Sequence, residues 1–273
     1  MEHELVIEAG HTERQYWRDL FRYRELFYFL AWRDVLVRYK QTVIGILWAV
    51  LRPLLAMIVF TFVFERIARL PTEGVPYPIM VFVAMLPWQL FATALSEGSS
   101  SLITNANLIS KVYFPRLIIP ASAVIVSFVD FAISMVLLVG LMVVYRVWPG
   151  LRLLSLPVFT ALALLVSTGM GLWLAALNVK YRDFRYVVPL IVQFGLYISP
   201  VGFSSSVVPE KWRLLYSLNP MVGVIDGFRW AVSGSAVSFP MDSVALSLLI
   251  GTAILFAGIW YFRKTERMFA DII

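Results

Sequence analysis

Residue types that commonly build active sites are scarce in this 273-residue chain. There is no cysteine, so disulfide bonds and thiolate chemistry are excluded. The only histidines are His3 and His11, both in the polar N-terminal segment. Two histidines near one terminus provide neither a metal site nor a histidine-based acid–base pair. We therefore expect no bound metal and no catalytic residue of these kinds.

The motifs of hydrolases and nucleotide-hydrolysing enzymes are also missing. None of the lysines follows a glycine, so there is no GxxxxGK[ST] phosphate-binding loop, and neither G-x-S-x-G nor H-E-x-x-H occurs. No two acidic residues are adjacent. These absences argue against hydrolase or NTPase activity. They argue less strongly against a transferase that acts on lipid-linked sugars, whose carboxylates can converge from separate loops.

Charge is scarce as well. Charged residues make up 15% of the chain and hydrophobic residues 60%, with a mean hydropathy of +0.80. Ordinary soluble domains contain about 25% charged residues, and a soluble core of this length cannot hide so much apolar surface. The apolar runs are long rather than short and alternating, which predicts an all-α integral membrane protein and not a barrel.

Six segments are apolar enough to span a membrane, which takes about 20 residues each. They cover residues 43–64, 79–95, 117–145, 153–177, 186–200 and 244–262. The second is short and contains Pro87, and the fifth is marginal in length. The predicted organisation is an N-terminal region (1–42), a membrane domain (43–262) and a tail (263–273). The first 19 residues contain no apolar stretch, so we expect no cleaved signal peptide.

The distribution of basic residues predicts the orientation. With six spans, fifteen Lys and Arg residues lie on the side of both termini and seven on the other side, while Arg52 lies within a span. The excess favours both termini on the cytoplasmic side. The net charge of +6 would suggest nucleic acid in a soluble protein. Here the charge flanks spans, so we expect membrane lipids as partners and no nucleic acid.

Two further regions are not predicted to cross the membrane. Residues 14–40 mix aromatic and charged side chains, which predicts an amphipathic helix along the inner leaflet; a solvated cytoplasmic helix is the alternative. Residues 201–241 contain two short pieces that begin at Pro209 and Pro220. They are too short to span and predict re-entrant helices, with a surface loop as the alternative. Gly223 and Gly227 would permit close helix contact.

Polar and aromatic side chains at membrane depth are the candidates for a transport path. Arg52 and Asp130 would each cost about 2.5–3.5 kcal/mol at the bilayer centre, so they should face protein or water. Snorkelling of Arg52 towards the interface is the alternative. Aromatic rings can pack on the C–H faces of sugars without fixing a register, although packing in the membrane core is the commoner role of such rings. The candidate aromatic residues are Trp48, Phe60, Trp88, Phe194 and Tyr197, and the side-chain amide of Gln193 is a further candidate.

Four segments resemble a known family. They are YKQTVIGILWAVLRPLL (39–55), NANLISKVYFPRLIIP (105–120), NVKYRDFRYVVPLIVQFGLYISPV (178–201) and the NP of 219–220. In order and spacing they are similar to the permease subunit of ABC type-2 exporters, in the branch that moves lipid-linked O-antigen, capsule or teichoic-acid polymers. The resemblance covers residues from about 20 to 263.

The resemblance implies six spans, an N-terminal interfacial helix and re-entrant helices before the last span. It implies a homodimer in the bacterial inner membrane, with both termini cytoplasmic and with two copies of a P-loop ATPase. ATP and Mg²⁺ would be bound by that ATPase and no cofactor by this chain. Contact with the ATPase would come from a coupling segment at about 96–116 and a second loop at 178–185. The implied contact residues are Asn105, Leu108, Lys111, Phe114, Arg116, Lys180, Tyr181, Arg182 and Asp183.

In the implied mechanism, ATP drives two permease copies apart and opens a channel between them. A polyprenyl-diphosphate-linked glycan of the O-antigen kind then advances through this channel past aromatic rings. Arg33, Arg38 and Lys40 of the basic N-terminal helix would attract the diphosphate. The alternatives are an integral-membrane enzyme acting on polyprenyl-linked sugars, an ABC type-2 exporter of a small molecule, and a secondary transporter. The last class often shows internal repeats, and none is evident here.

Overall fold

Helices account for nearly all of the regular structure in the computed structural model of the chain, which describes residues 13–40, 46–72, 74–148, 150–233 and 238–269. No β-strand occurs within those ranges. His3, His11, the start of the expected first span at Val43 and the last four residues of the tail lie outside them. The predicted all-α class is confirmed.

Eleven α-helices occur in the described ranges. Their bounds are α1 Glu13–Arg22, α2 Arg24–Lys40, α3 Ile46–Thr61, α4 Tyr77–Thr104, α5 Ala106–Lys111, α6 Ile118–Val144, α7 Leu156–Lys180, α8 Phe184–Ile198, α9 Glu210–Tyr216, α10 Pro220–Val232 and α11 Met241–Thr265. A π-helical turn, Phe62–Ile67, extends α3. Short 3₁₀ turns at Leu151–Ser155 and Glu266–Met268 flank α7 and α11.

Five of the described helical segments are long and apolar enough to cross a membrane: Leu47–Ile67, Tyr77–Thr104, Ile118–Val144, Leu151–Lys180 and Met241–Met268. They correspond to the first, second, third, fourth and sixth predicted spans. The fifth, α8, is apolar but has only 15 residues, about 22 Å at 1.5 Å per residue. The protein is therefore a multi-pass membrane protein.

The second span is longer than expected. Pro87 does not end it: α4 runs for 28 residues to Thr104, because proline is tolerated within membrane helices when neighbouring helices pack around it. Residues 96–104, assigned to the coupling segment from the sequence, therefore continue the span. The helix is at the centre of the fold and packs on α6 and α7 along most of its length.

Glycines bring the backbones of three other helices into contact. A Cβ on Gly258 of α11 would lie 2.2 Å from the carbonyl oxygen of Gly169 of α7. On α10, a Cβ on Gly223 would lie 2.1 Å from the Ser243 carbonyl oxygen, and one on Gly227 would lie 2.3 Å from the ring of Phe159. The close contacts expected of Gly223 and Gly227 are confirmed, and α7, α10 and α11 form one closely packed unit.

The N-terminal helices pack at one end of this unit. Leu30 and Ala31 of α2 are buried, and Leu30 belongs to a second apolar cluster with Ile109, Phe114 and residues near the ends of α4, α6, α7 and α11. Most of the remaining α2 surface is exposed. The N-terminal segment thus forms helices as expected, and α2 is attached to the membrane domain along its length.

The region 201–241 contains two short helices close to the predicted positions. Pro209 immediately precedes α9 and Pro220 is the first residue of α10. The two helices differ in environment: α10 is buried almost throughout, whereas Trp212, Leu214 and Leu215 of α9 are exposed. The expected short helices exist, and their re-entry into the membrane stays a prediction.

Candidate functional site: a polar pocket and two cytoplasmic segments

A pocket of about 320 Å³ lies between α2, α3, α4 and α6. Its charged lining consists of Arg38, Arg52 and Asp130. Further polar groups come from α2, α4 and α6, and Trp48, Leu86 and Phe131 are among its apolar walls. The polar groups are Tyr39, Gln89, Thr93, Ser127 and Ser134. A pocket with these groups inside an apolar helix bundle is the arrangement expected of a site that handles a polar ligand.

An ion cluster attaches the end of α2 to this pocket. Nη2 of Arg38 lies 2.7 Å from Oδ2 of Asp130, and Nη1 lies 3.1 Å from Oε1 of Glu97. The hydroxyl of Tyr39 donates to Oδ1 of Asp130. Both oxygens of the Asp130 carboxylate are thus bound by α2. This explains how the helix interior accommodates an aspartate, because the charge is paired rather than exposed to lipid.

Arg52 is in a different situation from Arg38. It makes no hydrogen bond, ion pair or aromatic contact with any residue in the described ranges, although it lines the same pocket. Pro53, the next residue, has no N–H, so the helical partner of the Ala49 carbonyl is missing. The hydroxyl of Ser127 is buried in the pocket wall without a described partner. The pocket therefore contains hydrogen-bonding groups that the chain itself does not satisfy.

Sequence reasoning did not find Tyr39, Glu97 or Ser127. Glu97 had a usable signal, because it is the only carboxylate in α4 and lies about two turns before the end of that span. An isolated carboxylate at that depth calls for a basic partner. Ser127 and Tyr39 had no such signal, because serine and tyrosine are common in membrane helices and at their ends.

The predicted channel residues separate into two groups. Trp48, Arg52 and Asp130 line the pocket, whereas the other five do not. Trp88 is buried in α4, where its ring lies 5.3 Å from that of Phe91 and would be 2.5 Å from a Cβ on Gly195. Gln193, Phe194 and Tyr197 project from the exposed face of α8, and Phe60 is half-buried on α3. The channel role of these residues stays a prediction.

The predicted diphosphate-binding cations are mostly paired. Arg38 belongs to the ion cluster. Arg33 donates to Oδ1 of Asp34 and to Oδ1 of Asn105, the residue before α5, each at 2.8 Å. Lys40 is exposed at the end of α2. The diphosphate role of these three residues stays a prediction, and two of them hold α2 to the rest of the protein.

The coupling segment has an inner and an outer side. Phe114 is buried, Leu108 is half-buried, and Asn105 accepts the bond from Arg33. Lys111 is exposed, as are Val112 and Tyr113, which follow it directly. Sequence reasoning did not name Val112 and Tyr113 as contact residues. The signal available in the sequence is two apolar residues directly after a lysine, at the end of a short helix.

Arg116 is half-buried and is bound within the protomer, and its role as a contact residue stays a prediction. Its backbone N–H donates to Oε1 of Glu266 at 2.8 Å, and its guanidinium donates to the Glu266 carbonyl. The hydroxyl of Tyr16 donates to the same carboxylate at 3.2 Å. Burial raises the pKa of Tyr16, and the charge of Glu266 raises it further, so the phenol keeps its proton. This clamp joins the coupling segment, α1 and the end of α11.

Four residues of the predicted second loop (178–185) are exposed. Lys180, Tyr181, Arg182 and Asp183 are all exposed, between the end of α7 and the start of α8. The Lys180 ammonium lies 5.0 Å from the centre of the Tyr181 ring. The four residues form a mixed polar and aromatic surface, which is suited to contact another protein.

The segment after α8 is fixed by Arg229, which sequence reasoning did not single out, and by Asn219 of the NP pair. Arg229 of α10 donates to the carbonyls of Phe203 at 2.7 Å and Val201 at 3.2 Å. Asn219, which caps α10, donates to the hydroxyl of Ser199 at 2.9 Å. The SPV motif (199–201), with which the 178–201 segment ends, is therefore in contact with the NP motif (219–220). A second pocket of about 620 Å³ lies beside α9 and α10.

No group of three or more His, Asp or Glu side chains that might coordinate a metal occurs within the described ranges. The chemistry available in the pocket is thus ionic binding and hydrogen bonding by Arg, Ser and Tyr, beside an exposed tryptophan. Two loops, around Lys111 and around Arg182, expose charged and aromatic side chains outside this pocket.

A model of the ABC-2 type transporter family matches residues 25–233, which is most of the chain. The chain belongs to the ABC-2 type transporter family. The match begins in α2 and ends directly after α10, so it covers the ion cluster, the pocket, both cytoplasmic segments and the SPV and NP motifs. As a member of this family the protein is a transport protein of the membrane.

Named relatives of this ABC-2 transporter extend over nearly its whole length. It is 28% identical over 259 residues to the O-antigen export system permease protein RfbA of Myxococcus xanthus, covering 94% of this chain and 98% of that one. It is 27% identical to a protein of the same name from Klebsiella pneumoniae, covering 88% and 92%. It is 21% identical to the polysialic acid transport protein KpsM of Escherichia coli, covering 86% and 91%.

Proposed function

We propose that the chain is the channel-forming permease subunit of an ATP-driven exporter. Its cargo is a polyprenyl-diphosphate-linked polysaccharide of the O-antigen kind, which crosses from the inner to the outer face of the bacterial inner membrane. The observation that carries this proposal is the full-length similarity to O-antigen export permeases. The relatives named for polymer export match this chain end to end, which favours a polymer over a small molecule.

The proposed topology has six spans, with α8 as a short fifth one. At about 22 Å, α8 is shorter than the hydrocarbon core of about 30 Å, so it requires local thinning or a neighbouring helix to complete the crossing. α9 and α10 are the re-entrant helices on the outer side. Both termini are cytoplasmic, in agreement with the distribution of basic residues.

The proposed channel lies between two copies of the chain. The exposed faces of α3 and α8 support this: they carry Trp48, Phe62, Phe194 and Tyr197, and little of either helix is covered by the rest of the protomer. Aromatic rings along such a wall would stack on successive sugars without fixing one register. The same exposed faces would provide the contact between the two copies.

ATP hydrolysis is assigned to a separate P-loop ATPase, which binds ATP and Mg²⁺, because the sequence has no phosphate-binding loop. Two copies of it would contact the exposed residues of the two cytoplasmic segments, Lys111, Val112, Tyr113 and 180–183. Arg116 has a different role in this scheme: it transmits a displacement of the coupling segment to α11 and α1 through Glu266.

The first experiment is affinity purification of the tagged protein from native membranes in mild detergent. We expect a P-loop ATPase in about equal amount. In the matching deletion strain, we expect surface polysaccharide to be lost and lipid-linked polymer to accumulate inside, with both restored by the wild-type gene. Recovery of the permease without an ATPase, or normal surface polymer in the deletion strain, would overturn the proposal.

Two further results would identify the alternatives. Catalysis on a polyprenyl-linked sugar by the purified chain without ATP would indicate an enzyme. Accumulation of a small molecule instead of a polymer in the deletion strain would indicate a small-molecule exporter.

A further inference from the structure

The pocket between α2, α3, α4 and α6 contains one cation that has no partner in the described part of the chain. Arg38 binds Asp130 and Glu97, but Arg52 on the facing wall binds no described residue. An arginine in an apolar span is costly unless an anion or water compensates its charge. Asp130 forms its ion pair with Arg38 and accepts a hydrogen bond from Tyr39, and it forms no ion pair with Arg52.

A second unsatisfied group lies in the same wall. The Ser127 side chain is completely buried, and its hydroxyl has no described hydrogen-bond partner. A buried polar group without a partner is uncommon in proteins and points to a missing ligand or water. The guanidinium of Arg52 and the hydroxyl of Ser127 are both hydrogen-bond donors, so an acceptor with negative charge satisfies both.

The rest of the lining is mixed. Gln89, Thr93 and Ser134 add polar groups, and Leu86, Leu90 and Phe131 form an apolar side together with Trp48. The pocket volume of about 320 Å³ is at the lower end of the range of about 300–1,000 Å³ found for small-molecule sites. A cation and a buried hydroxyl donor beside an apolar side suit an amphiphile with a phosphate head.

We propose that this pocket binds the diphosphate of the polyprenyl carrier, with Arg52 as the cation that contacts it. Ser127 donates a further hydrogen bond, and the leucines and Phe131 contact the first isoprene units. This assignment rests on the proposed function for the identity of the carrier. Arg33 and Arg38, the residues predicted from the sequence to attract the diphosphate, are already paired. The proposal assigns that role to Arg52, which was predicted from the sequence to line the channel.

The position of Arg52 along its helix agrees with entry from the inner leaflet. It lies six residues after Ile46, about 9 Å along α3 at 1.5 Å per residue. Trp48 lies one turn nearer the start of the helix and is exposed. In the proposed orientation, a lipid from the inner leaflet would therefore meet Trp48 first and Arg52 next.

The test uses the permease with its ATPase partner in nanodiscs of phosphatidylcholine, titrated with farnesyl diphosphate. We expect saturable binding that Arg52→Gln weakens at least tenfold, Arg52→Lys less, and Ser127→Ala about threefold. Arg66→Gln, the same change in the π-helical extension of α3 and outside the pocket, is the matched control and should bind as the wild type does. Size-exclusion profiles and thermal midpoints establish that each variant is folded.

Competition distinguishes the sources of phosphate. Inorganic pyrophosphate should compete weakly, because it lacks the isoprenoid, and phosphatidylglycerol should compete weakly, because it has one phosphate. Equal competition by phosphatidylglycerol would overturn the assignment in favour of a phospholipid site. Equal competition by pyrophosphate would overturn the isoprenoid contact, and unchanged binding by Arg52→Gln would overturn the role of Arg52.

Polymer export, measured on the same variants, separates this inference from the proposed function. If the wild type supports export but does not bind farnesyl diphosphate, the pocket assignment alone fails. If the deletion leaves surface polymer unchanged while the purified complex still binds the probe through Arg52, the proposed cargo alone fails. Support for both requires that Arg52→Gln lose binding and export together while Arg66→Gln retains both.

Discussion

The first two spans are both strongly apolar, yet they are packed very differently. In the most apolar stretch of Leu47–Ile67, only 11% of the residues are buried within the protomer, against 78% in Tyr77–Thr104. The second span is surrounded by α6, α7 and α10, while the first contacts α4 and α6 along one side only. Hydrophobicity thus identifies helices that enter lipid, but it does not indicate which of them form the core. Burial separates the helices that hold the fold together from those left for a ligand or a second copy.

The largest expected effect comes from separating two helices of the closely packed unit. Gly258→Leu places a side chain against the backbone of Gly169, and we expect a loss of about 3 kcal/mol or more, enough to abolish recovery of folded protein. Gly140→Leu on α6 is the matched control, because a Cβ there has no neighbour within 4 Å. The measurement is the yield of monodisperse protein in detergent and its thermal midpoint. Equal yields from the two variants would contradict the close contact.

A pair of leucines tests the comparison of the two spans directly. Leu95 of α4 is 0% exposed and Leu55 of α3 is 54% exposed. We expect Leu95→Ala to cost about 2–5 kcal/mol, because it leaves a cavity, and Leu55→Ala to cost less than about 0.5 kcal/mol. Thermal unfolding in detergent provides the ranking. A larger loss for Leu55→Ala would mean that α3 is buried in the protomer after all.

The ion cluster provides an intermediate effect. Asp130→Asn removes the partner of Arg38 and weakens the bond from Tyr39, and we expect a loss of about 2 kcal/mol, since this pair is only partly exposed. Glu97→Gln should cost under about 1 kcal/mol, because the Glu97 side chain is half exposed. Thermal midpoints and proteolysis of the N-terminal helices are the measurements. Release of α2 by Glu97→Gln but not by Asp130→Asn would reverse this ranking.

Two arginines of the two predicted contact segments should separate stability from assembly. Arg116→Glu places a carboxylate beside Glu266, so we expect a loss of about 1–2 kcal/mol in stability. Arg182→Glu lies on the exposed loop, and we expect an unchanged thermal midpoint with loss of ATPase co-purification and of polymer export. The readouts are the thermal midpoint, the ATPase ratio and surface polymer. Normal export by Arg182→Glu would remove this loop from the proposed ATPase contact.

The smallest expected effect on stability comes from a single cysteine on the exposed face of α3. The chain contains no native cysteine, so Ile58→Cys provides the only thiol. We expect oxidation in native membranes to cross-link most of the protein into dimers, with little change in the thermal midpoint. Val136→Cys on the exposed side of α6 is the control and should remain monomeric on a denaturing gel. Cross-linking at position 136 but not at 58 would place the dimer contact on α6.

The local features of the fold were predictable from the sequence. The apolar runs, the prolines before α9 and at the start of α10, and the close contacts of Gly223 and Gly227 follow from composition and short-range pattern. Contacts between segments that are distant in the chain could not be predicted from the sequence. The bonds of Arg38 with Asp130 and of Arg116 with Glu266 join residues far apart in the chain, and nothing in the sequence near either one specifies its partner.

Helix rotation was the second limit. Trp48 and Trp88 both lie in apolar spans and were equal candidates for a channel wall. The structure exposes Trp48 and buries Trp88 against Gly195. One sequence does not show which side of an apolar helix faces its neighbours, because lipid and protein interior favour the same side chains. The ion pairs and the exposure of side chains define the candidate site, and both required the three-dimensional structure.

The last helix is attached to other segments near both of its ends. Near its start, the Ser247 hydroxyl accepts a hydrogen bond from the backbone of Gly223, which lies on α10. Beyond its final turn, Glu266 binds Arg116. α11 has 25 residues, about 37 Å at 1.5 Å per residue, and its backbone rests on that of α7 midway. We expect a shift of the loop around Arg116 to be carried along this helix to α10, by a route that bypasses both the pocket and α3.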